Sequence, residues 1–383
     1  MELYVHIPFC KQKCRYCSFT SFAAQESRLE KYVDLLIREA ELRRPEVKEP
    51  VRTVYIGGGT PSLMSPALLR NLVTGLSDQF CLDSVEEFSV EANPGTVTQE
   101  WLDTAVALGI SRISFGMQAL QDRLLQMLGR IHRFGAVAES VRLARAAGFD
   151  NISLDLMFGL PGQTMEDWKE TVDASLSLRP SHLSAYGLIP EEGTPLYRDL
   201  EAGILTLPDP EEEREMYDLV IRETASAGFH QYEISSFARE NRECMHNIGY
   251  WTQVPYLGLG VSAASMDGIA FTPDGMTYYR SVNPDRLDTY EKKIDKGFPF
   301  PSGEKIGPRE ARFETVMLGL RMNRGISEEV FARKHGVTPE HCWGEKLHEM
   351  EKRGLIVHEN ASWRLTARGF DIQNTVLVEL MDD

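Results

Sequence analysis

The chain has 383 residues, with 41 Lys+Arg against 57 Asp+Glu and a formal net charge of −16. Apolar residues at 42% and charged residues at 26% match ordinary globular usage and exclude a disordered or low-complexity chain. The length suits roughly two or three domains, or one large α/β barrel with an appendage. The acidic balance opposes sequence-independent nucleic-acid binding, which depends on Lys and Arg at phosphates.

Short runs rich in β-branched or aromatic residues predict strands at Leu3–Ile7, Thr53–Ile56, Glu87–Glu91, Arg112–Gly116, Ile152–Met157 and His182–Leu188. Helical patterns lie between them. Val33, Leu36, Ile37 and Ala40 recur at i, i+3, i+4 and i+7, with Arg38, Glu39 and Glu41 expected to face away. Phe134–Ala147 reads the same way, with Gly148 placed as a C-terminal stop. Successive β-then-α units predict parallel strands with right-handed crossovers, in an open barrel or a doubly wound sheet. A closed barrel needs eight such units.

Beyond Pro190 the pattern changes. Residues 208–215 (PDPEEERE) form an acidic, Pro-flanked entry to a helix at about Glu211–Ala227, with carboxylates favoured near the helix N-terminus. Residues 246–282, rich in Tyr, Trp and Gly, read as irregular structure with short strands. Residues 294–308, with their Pro and Gly, are the best linker candidate. Helical patterns at about 308–322, 327–335 and 339–353 precede two short strands, Leu355–Val357 and Trp363–Leu365. Helix, helix, hairpin is the order of a winged-helix-like unit. The expected division is 1–190, the βα-alternating part with an N-terminal cysteine loop; 191–300, its extension; and 301–383, a mainly helical, winged-helix-like domain.

The opening MELYVHIPFC has neither the cationic nor the apolar region of a secretory signal. No run approaches the length of a membrane span, and the chain ends without a lipidation box. A cytoplasmic protein is expected. There, clustered thiols serve metal or redox chemistry in preference to disulfides. Of six cysteines, Cys10, Cys14 and Cys17 form a C-x3-C-x2-C array directly after the first strand, while Cys81, Cys244 and Cys342 are scattered. Three thiolates on one loop can hold three corners of a [4Fe–4S] cluster, leaving one iron open to a small molecule. Lys11, Lys13 and Arg15 interleave the thiols and favour thiolates. A zinc knuckle, completed by His6 or a distant His, is the alternative, although zinc sites more often use paired C-x2-C units.

The cysteine array followed by Gly57-Gly58-Gly59-Thr60-Pro61 after the second strand resembles the radical S-adenosylmethionine superfamily. Tyr4-Val-His-Ile-Pro-Phe-Cys10, Glu91-Ala-Asn-Pro94, Phe115-Gly-Met-Gln118 and Asp155-Leu-Met-Phe-Gly-Leu-Pro161 are similar to the branch holding oxygen-independent coproporphyrinogen III oxidase and the HemW haem chaperones. The resemblance covers nearly the whole chain and implies an α/β fold, an open partial (β/α)6 barrel. It implies that S-adenosylmethionine chelates the open iron, with Gly58, Gly59 and Thr60 against its methionine part. Tyr4 and Tyr16 would flank it, and Glu91, Gln118 and Asp155 would meet its hydroxyls from successive strand ends. Arg130 would pair with its carboxylate, and Ile189 and Ala264 would line the adenosyl site.

Two departures from the oxidase pattern matter: Phe19 stands where the oxidases carry a fourth cysteine, and only nine residues precede Cys10. Instead, His246-Asn-Ile-Gly-Tyr250-Trp251 matches the H-N-x-x-Y-W signature of the HemW group, which implies His246 as a ligand to haem iron. Cys244 is a candidate second ligand or covalent attachment point, with a buried free thiol the preferred reading. The resemblance thus implies a haem carrier with acceptor haem proteins such as membrane cytochromes, working in the cytoplasm or at the membrane periphery. A homodimer is a further expectation. The alternatives are a radical oxidase acting on coproporphyrinogen III or a related tetrapyrrole, and a zinc-stabilised scaffold with a nucleic-acid-binding C-terminal unit.

Overall fold

The computed structural model describes residues 1–297 and 303–381. Strand β1 (Glu2–Ile7) leads into a short parallel ribbon, β2 (Phe9–Cys10) with β3 (Phe22–Ala23), that brackets the cysteine loop. Strands β4 (Thr53–Gly58), β5 (Glu87–Ala92), β6 (Arg112–Gln118), β7 (Asn151–Phe158) and β8 (His182–Gly187) follow. They align beside β1 in chain order, every neighbouring pair parallel. Each is buried over most of its length, as a parallel sheet covered by crossover helices requires. All six expected strands form, within a residue or two of the expected bounds.

The crossover helices pack side by side, and helix Leu29–Arg43 buries Val33, Leu36 and Ala40 as the periodicity predicts. Glu39, expected to face solvent, is instead only 1% exposed. Its carboxylate accepts from the Gly260 N–H (2.8 Å), Asn283 Nδ2 (2.6 Å) and the Tyr290 hydroxyl (2.6 Å). It ties the first helix to chain more than two hundred residues later, and those hydrogen bonds offset its loss of hydration.

The sheet extends beyond six strands on both sides. A hairpin of β9 (His230–Glu233) and β10 (Ser236–Ala238) adds antiparallel to β8. On the opposite side β11 (Tyr256–Leu259) joins β1 in parallel, followed antiparallel by β12 (Ala264–Thr272), β13 (Gly275–Val282) and β14 (Glu304–Ile306). Residues 246–282 are therefore more regular than expected. They hold most of helix Met245–Trp251 and a hairpin with strands of nine and eight residues. The expected linker is also partly structured. Ile294 and Asp295 end a helix, Glu304–Ile306 pairs with β13, and 298–302 lie outside the described residues.

The C-terminal part has helices Pro308–Gly319, Glu328–His335 and Pro339–Lys352 around a small sheet. That sheet comprises β15 (Ile326–Ser327), β16 (Ile356–Glu359) and β17 (Ser362–Leu365), in the order β15–β17–β16. Phe331, Leu347, Met350 and Trp363 centre a core separate from the main one. Among the described residues no helix is long and apolar enough to cross a membrane.

One buried carboxylate fixes helix Met245–Trp251 against the barrel. Glu87, near the start of β5, accepts from the N–H groups of Met245 (3.1 Å) and His246 (3.3 Å) and from Cys244 Sγ (3.5 Å). The buried Arg112 guanidinium interacts with the same carboxylate. Glu87→Ala strands these donors and the guanidinium, and it should lower unfolding free energy by roughly 3 kcal/mol or more. A urea-unfolding midpoint equal to that of the unmodified chain would exclude this role.

Candidate functional site

The site is built on a close backbone approach. The Gly59 N–H donates to the Ile7 carbonyl at 2.8 Å, and a Cβ there would lie 2.7 Å from the Phe9 carbonyl oxygen. Gly58 has φ +108°, a conformation that favours glycine. Its N–H donates to Glu91 Oε2 at 3.0 Å. The far side of the cysteine loop is pinned by the Arg15 N–H on the Leu128 carbonyl (2.9 Å) and Gln12 Nε2 on the Gly129 carbonyl (3.1 Å).

Cys10, Cys14 and Cys17 line one cavity of about 440 Å³ at the carboxyl ends of the strands. Tyr16, Gly58, Gly59, Glu91, Gln118, Arg130, Asp155 and Ile189 share its wall, whereas Thr60, expected beside them, lines a small separate pocket with Cys14, Asn93 and Arg130. Among the described residues no three His, Cys, Asp or Glu side chains converge as ligands of a single ion do. Three thiols on one loop and one cavity wall are the ligand number that a cubane with one open iron takes.

Two polar links reach the thiols from behind. The Thr60 hydroxyl donates to Cys10 Sγ at 3.6 Å, and Arg130 Nη1 donates to Cys14 Sγ at 3.4 Å. Asn93 joins them: its Nδ2 donates to the Thr60 oxygen and its Oδ1 accepts from Arg130 Nη2, both at 2.8 Å. Of the interleaved cations, Lys13 donates to the Phe19 carbonyl and Arg15 pairs with Asp199, so the cation touching a thiol is the distant Arg130. Burial pushes the Cys10 and Cys17 thiols up, opposed at Cys10 by the Thr60 hydrogen bond and at Cys17 by the Phe19 backbone. Burial thus disfavours the Cys10 and Cys17 thiolates, while the Lys13 charge favours the one at Cys17.

The carboxyls of Glu91 and Asp155 are raised chiefly by burial, and Glu91 further by Asp155. Glu91 Oε1 accepts from the Tyr55 hydroxyl (2.9 Å), and Asp155 Oδ2 from Ser114 (2.9 Å). Gln118 sits at φ +64° where β6 shifts register against β7. Arg130 Nη2 donates to the Gly116 carbonyl (2.8 Å), just before that shift.

Tyr4 and Ala264 lie elsewhere than expected. They line a second, larger cavity of about 680 Å³, and Ser18 and Phe19 border both cavities. The Tyr4 ring stacks on Tyr55, its register partner on β4, so those two rings stand between the cavities.

His246, expected as a haem-iron ligand, lines neither cavity and is 1% exposed. Its Nδ1 pairs with Thr53 Oγ1 at 2.7 Å, its Nε2 with the Tyr250 hydroxyl at 2.9 Å, and its ring stacks on Tyr55. With both ring nitrogens engaged, this conformation does not present the imidazole to a ligand. Cys244 is fully buried, as expected for a free thiol.

The sequence reading missed Asn93, Tyr55, Arg112, Ser114 and Ser184, all on the cluster cavity. The signal was a period of two: Glu91 and Asn93, then Arg112, Ser114 and Gly116, repeat a small or polar residue on the same face of successive strands.

Residues 4–174 match the Radical SAM superfamily and residues 306–372 the HemN C-terminal domain. The fold is similar to coproporphyrinogen III oxidase (HemN) from Escherichia coli, with TM-score 0.82 over 99% of this chain and 89% of that one at 23% identity. Fold and sequence together define a radical S-adenosylmethionine protein. The chain is 37% identical over 97% of both lengths to Heme chaperone HemW of Bacillus subtilis. It is 34% identical to the Lactococcus lactis protein of the same name, over 99% of this chain and 97% of that one. The chain belongs to the HemW family.

Burial depresses the His246 pKa to about 3, with the Arg112 charge adding to the effect. In the unfolded chain the imidazole titrates near 6.5. The unfolded state therefore binds more protons between these values, and stability from His246 is present above about 6.5 and lost as pH falls toward 3. His246→Gln should destabilise at pH 7, with a penalty that shrinks by up to about 2 kcal/mol on going to pH 5. Paired urea titrations at the two pH values test this, and a pH-independent penalty would contradict it.

Proposed function

We propose that this chain is a haem carrier: it binds haem and passes it to acceptor haem proteins. A [4Fe–4S] cluster would be held by Cys10, Cys14 and Cys17, with S-adenosylmethionine in the cavity beside it. The observation that carries the reading is the full-length similarity to proteins named heme chaperones. Phe19 supports it, occupying the position where the resemblance assigns the oxidases a fourth cysteine.

The cavity residues fit the cofactors. Three thiols on one cavity wall suit a cubane, and a volume of about 440 Å³ falls in the range of small-molecule sites. When bound, the cluster supplies an open iron and one-electron chemistry. The chain's own residues do the positioning. Asn93, through Thr60 and Arg130, orients two of the thiols, and Glu91, Gln118 and Asp155 offer acceptors to hydroxyls. Arg130, already on Cys14, brings positive charge to the end of the cavity where a ligand carboxylate would lie. His246 supports the haem reading through its motif, and contact with iron would require Tyr250 to release Nε2.

Anaerobic reconstitution with iron and sulfide should yield a brown protein, and Cys10→Ala, Cys14→Ala or Cys17→Ala should each abolish that absorbance. Haem added to the reconstituted protein should give a Soret band in stoichiometric titration. Conversion of coproporphyrinogen III at enzymatic rates with CO2 release would overturn the carrier reading in favour of the oxidase.

A further inference from the structure

The cavity of about 680 Å³ lies beside the cluster cavity, between β1 and the β12–β13 hairpin on one side and helix Pro308–Gly319 on the other. Its wall combines aromatic rings with thioethers: Phe19, Tyr250, Tyr256, Met266 and Met317. The Tyr250 and Tyr256 rings meet edge to face at 4.8 Å, and the Tyr250 hydroxyl is held by His246 Nε2. Tyr250 therefore stands between His246 and the cavity.

Among the described residues Arg280 is the only arginine or lysine on this lining. Its Nη2 donates to Glu314 (2.5 Å) and to the Tyr278 hydroxyl (3.2 Å), and its side chain remains 37% exposed. A guanidinium offers five N–H donors in a planar fork and so can serve a second carboxylate. Flat aromatic surface and polarizable sulfur match a planar, apolar macrocycle, and Arg280, paired with Glu314 on the same wall, keeps further N–H donors for a ligand carboxylate.

We propose that this second cavity, and not the cluster cavity, seats haem, with the macrocycle against Tyr250 and a propionate on Arg280. The proposal rests on the haem-carrier reading and gives it a location.

The test is a haem titration of the full-length protein followed by absorption, using haem and haem with esterified propionates. Met317→Trp, which fills the cavity, should weaken haem binding at least about tenfold while leaving cluster absorbance unchanged. The unmodified protein should prefer haem over the ester by about tenfold, the size of one charge-assisted contact. Arg280→Gln should lose that preference, and this arm stands alone if Met317→Trp fails to fold. Unchanged haem affinity in folded Met317→Trp, or undiminished ester discrimination in Arg280→Gln, would overturn the location. Absence of haem binding by the unmodified protein would instead overturn the carrier reading and the seat with it.

Discussion

The structure depends on the absence of a side chain at Gly59. The ends of β1 and β4 come close enough for the Gly59 N–H to reach the Ile7 carbonyl, and any Cβ would strike the backbone of Ile7 and Phe9. That contact sets where the chain leaves β1, and so where the loop carrying Cys10, Cys14 and Cys17 begins. Gly58, in the left-handed region, turns its N–H to Glu91, so the same turn positions the first carboxylate of the cavity. Asn93, two residues further along the same face, then ties Thr60 and Arg130 to two of the thiols. Thiols, carboxylate and cation are placed by one sequence of short-range steps that starts from a missing methyl group.

How much of this was legible follows from how far each signal reaches along the chain. The six barrel strands were readable because strands buried on both faces have near-continuous apolar runs, and helix Phe134–Ala147 because its periodicity spans several turns. The cysteine spacing and the triple glycine were readable because both are local. Residues 246–282 were misread because the outer half of β12 is exposed and carries no alternation, and helix Met245–Trp251 has only two turns. That helix is held by Glu87, more than 150 residues away, and no local pattern announces such a partner. Glu39 was misread for the same reason, since its three donors all come from distant chain. Among the site residues, Asn93 and Ser114 were accessible through the period-two pattern but were hidden among structural serines and asparagines. The exchange of Tyr4 and Ala264 to the other cavity was not accessible at all, because it depends on where β11 and β12 join the sheet.

Between the two cavities stands a row of rings: Tyr4 on Tyr55, Tyr55 on His246, His246 against Tyr250, and Tyr250 against Tyr256. Tyr55 faces the cluster cavity, whereas Tyr4, Tyr250 and Tyr256 face the larger one. The imidazole in the middle is buried and held in its neutral form, with a hydroxyl on each nitrogen. Such a wall is stiff, because each ring is fixed by its neighbours and by a hydrogen bond. Moving Tyr250 therefore breaks a buried hydrogen bond and a ring contact together, and any ligand that engages His246 must supply that energy through its own contacts.

Phe19 occupies the other end of this partition. The side chain is 68% exposed and borders both cavities, at the position where the oxidase pattern has a cysteine. A thiol there would add a polar, reactive group beside the cluster loop, whereas a phenyl ring adds apolar surface with no protein partner to cover it. Burying most of a ring of this size is worth about 1.5–3 kcal/mol. In the fold as it stands most of that free energy is unrealised and is open to any apolar surface that covers the ring. The residue that departs from the oxidase pattern thus leaves an uncovered apolar face where the two cavities meet.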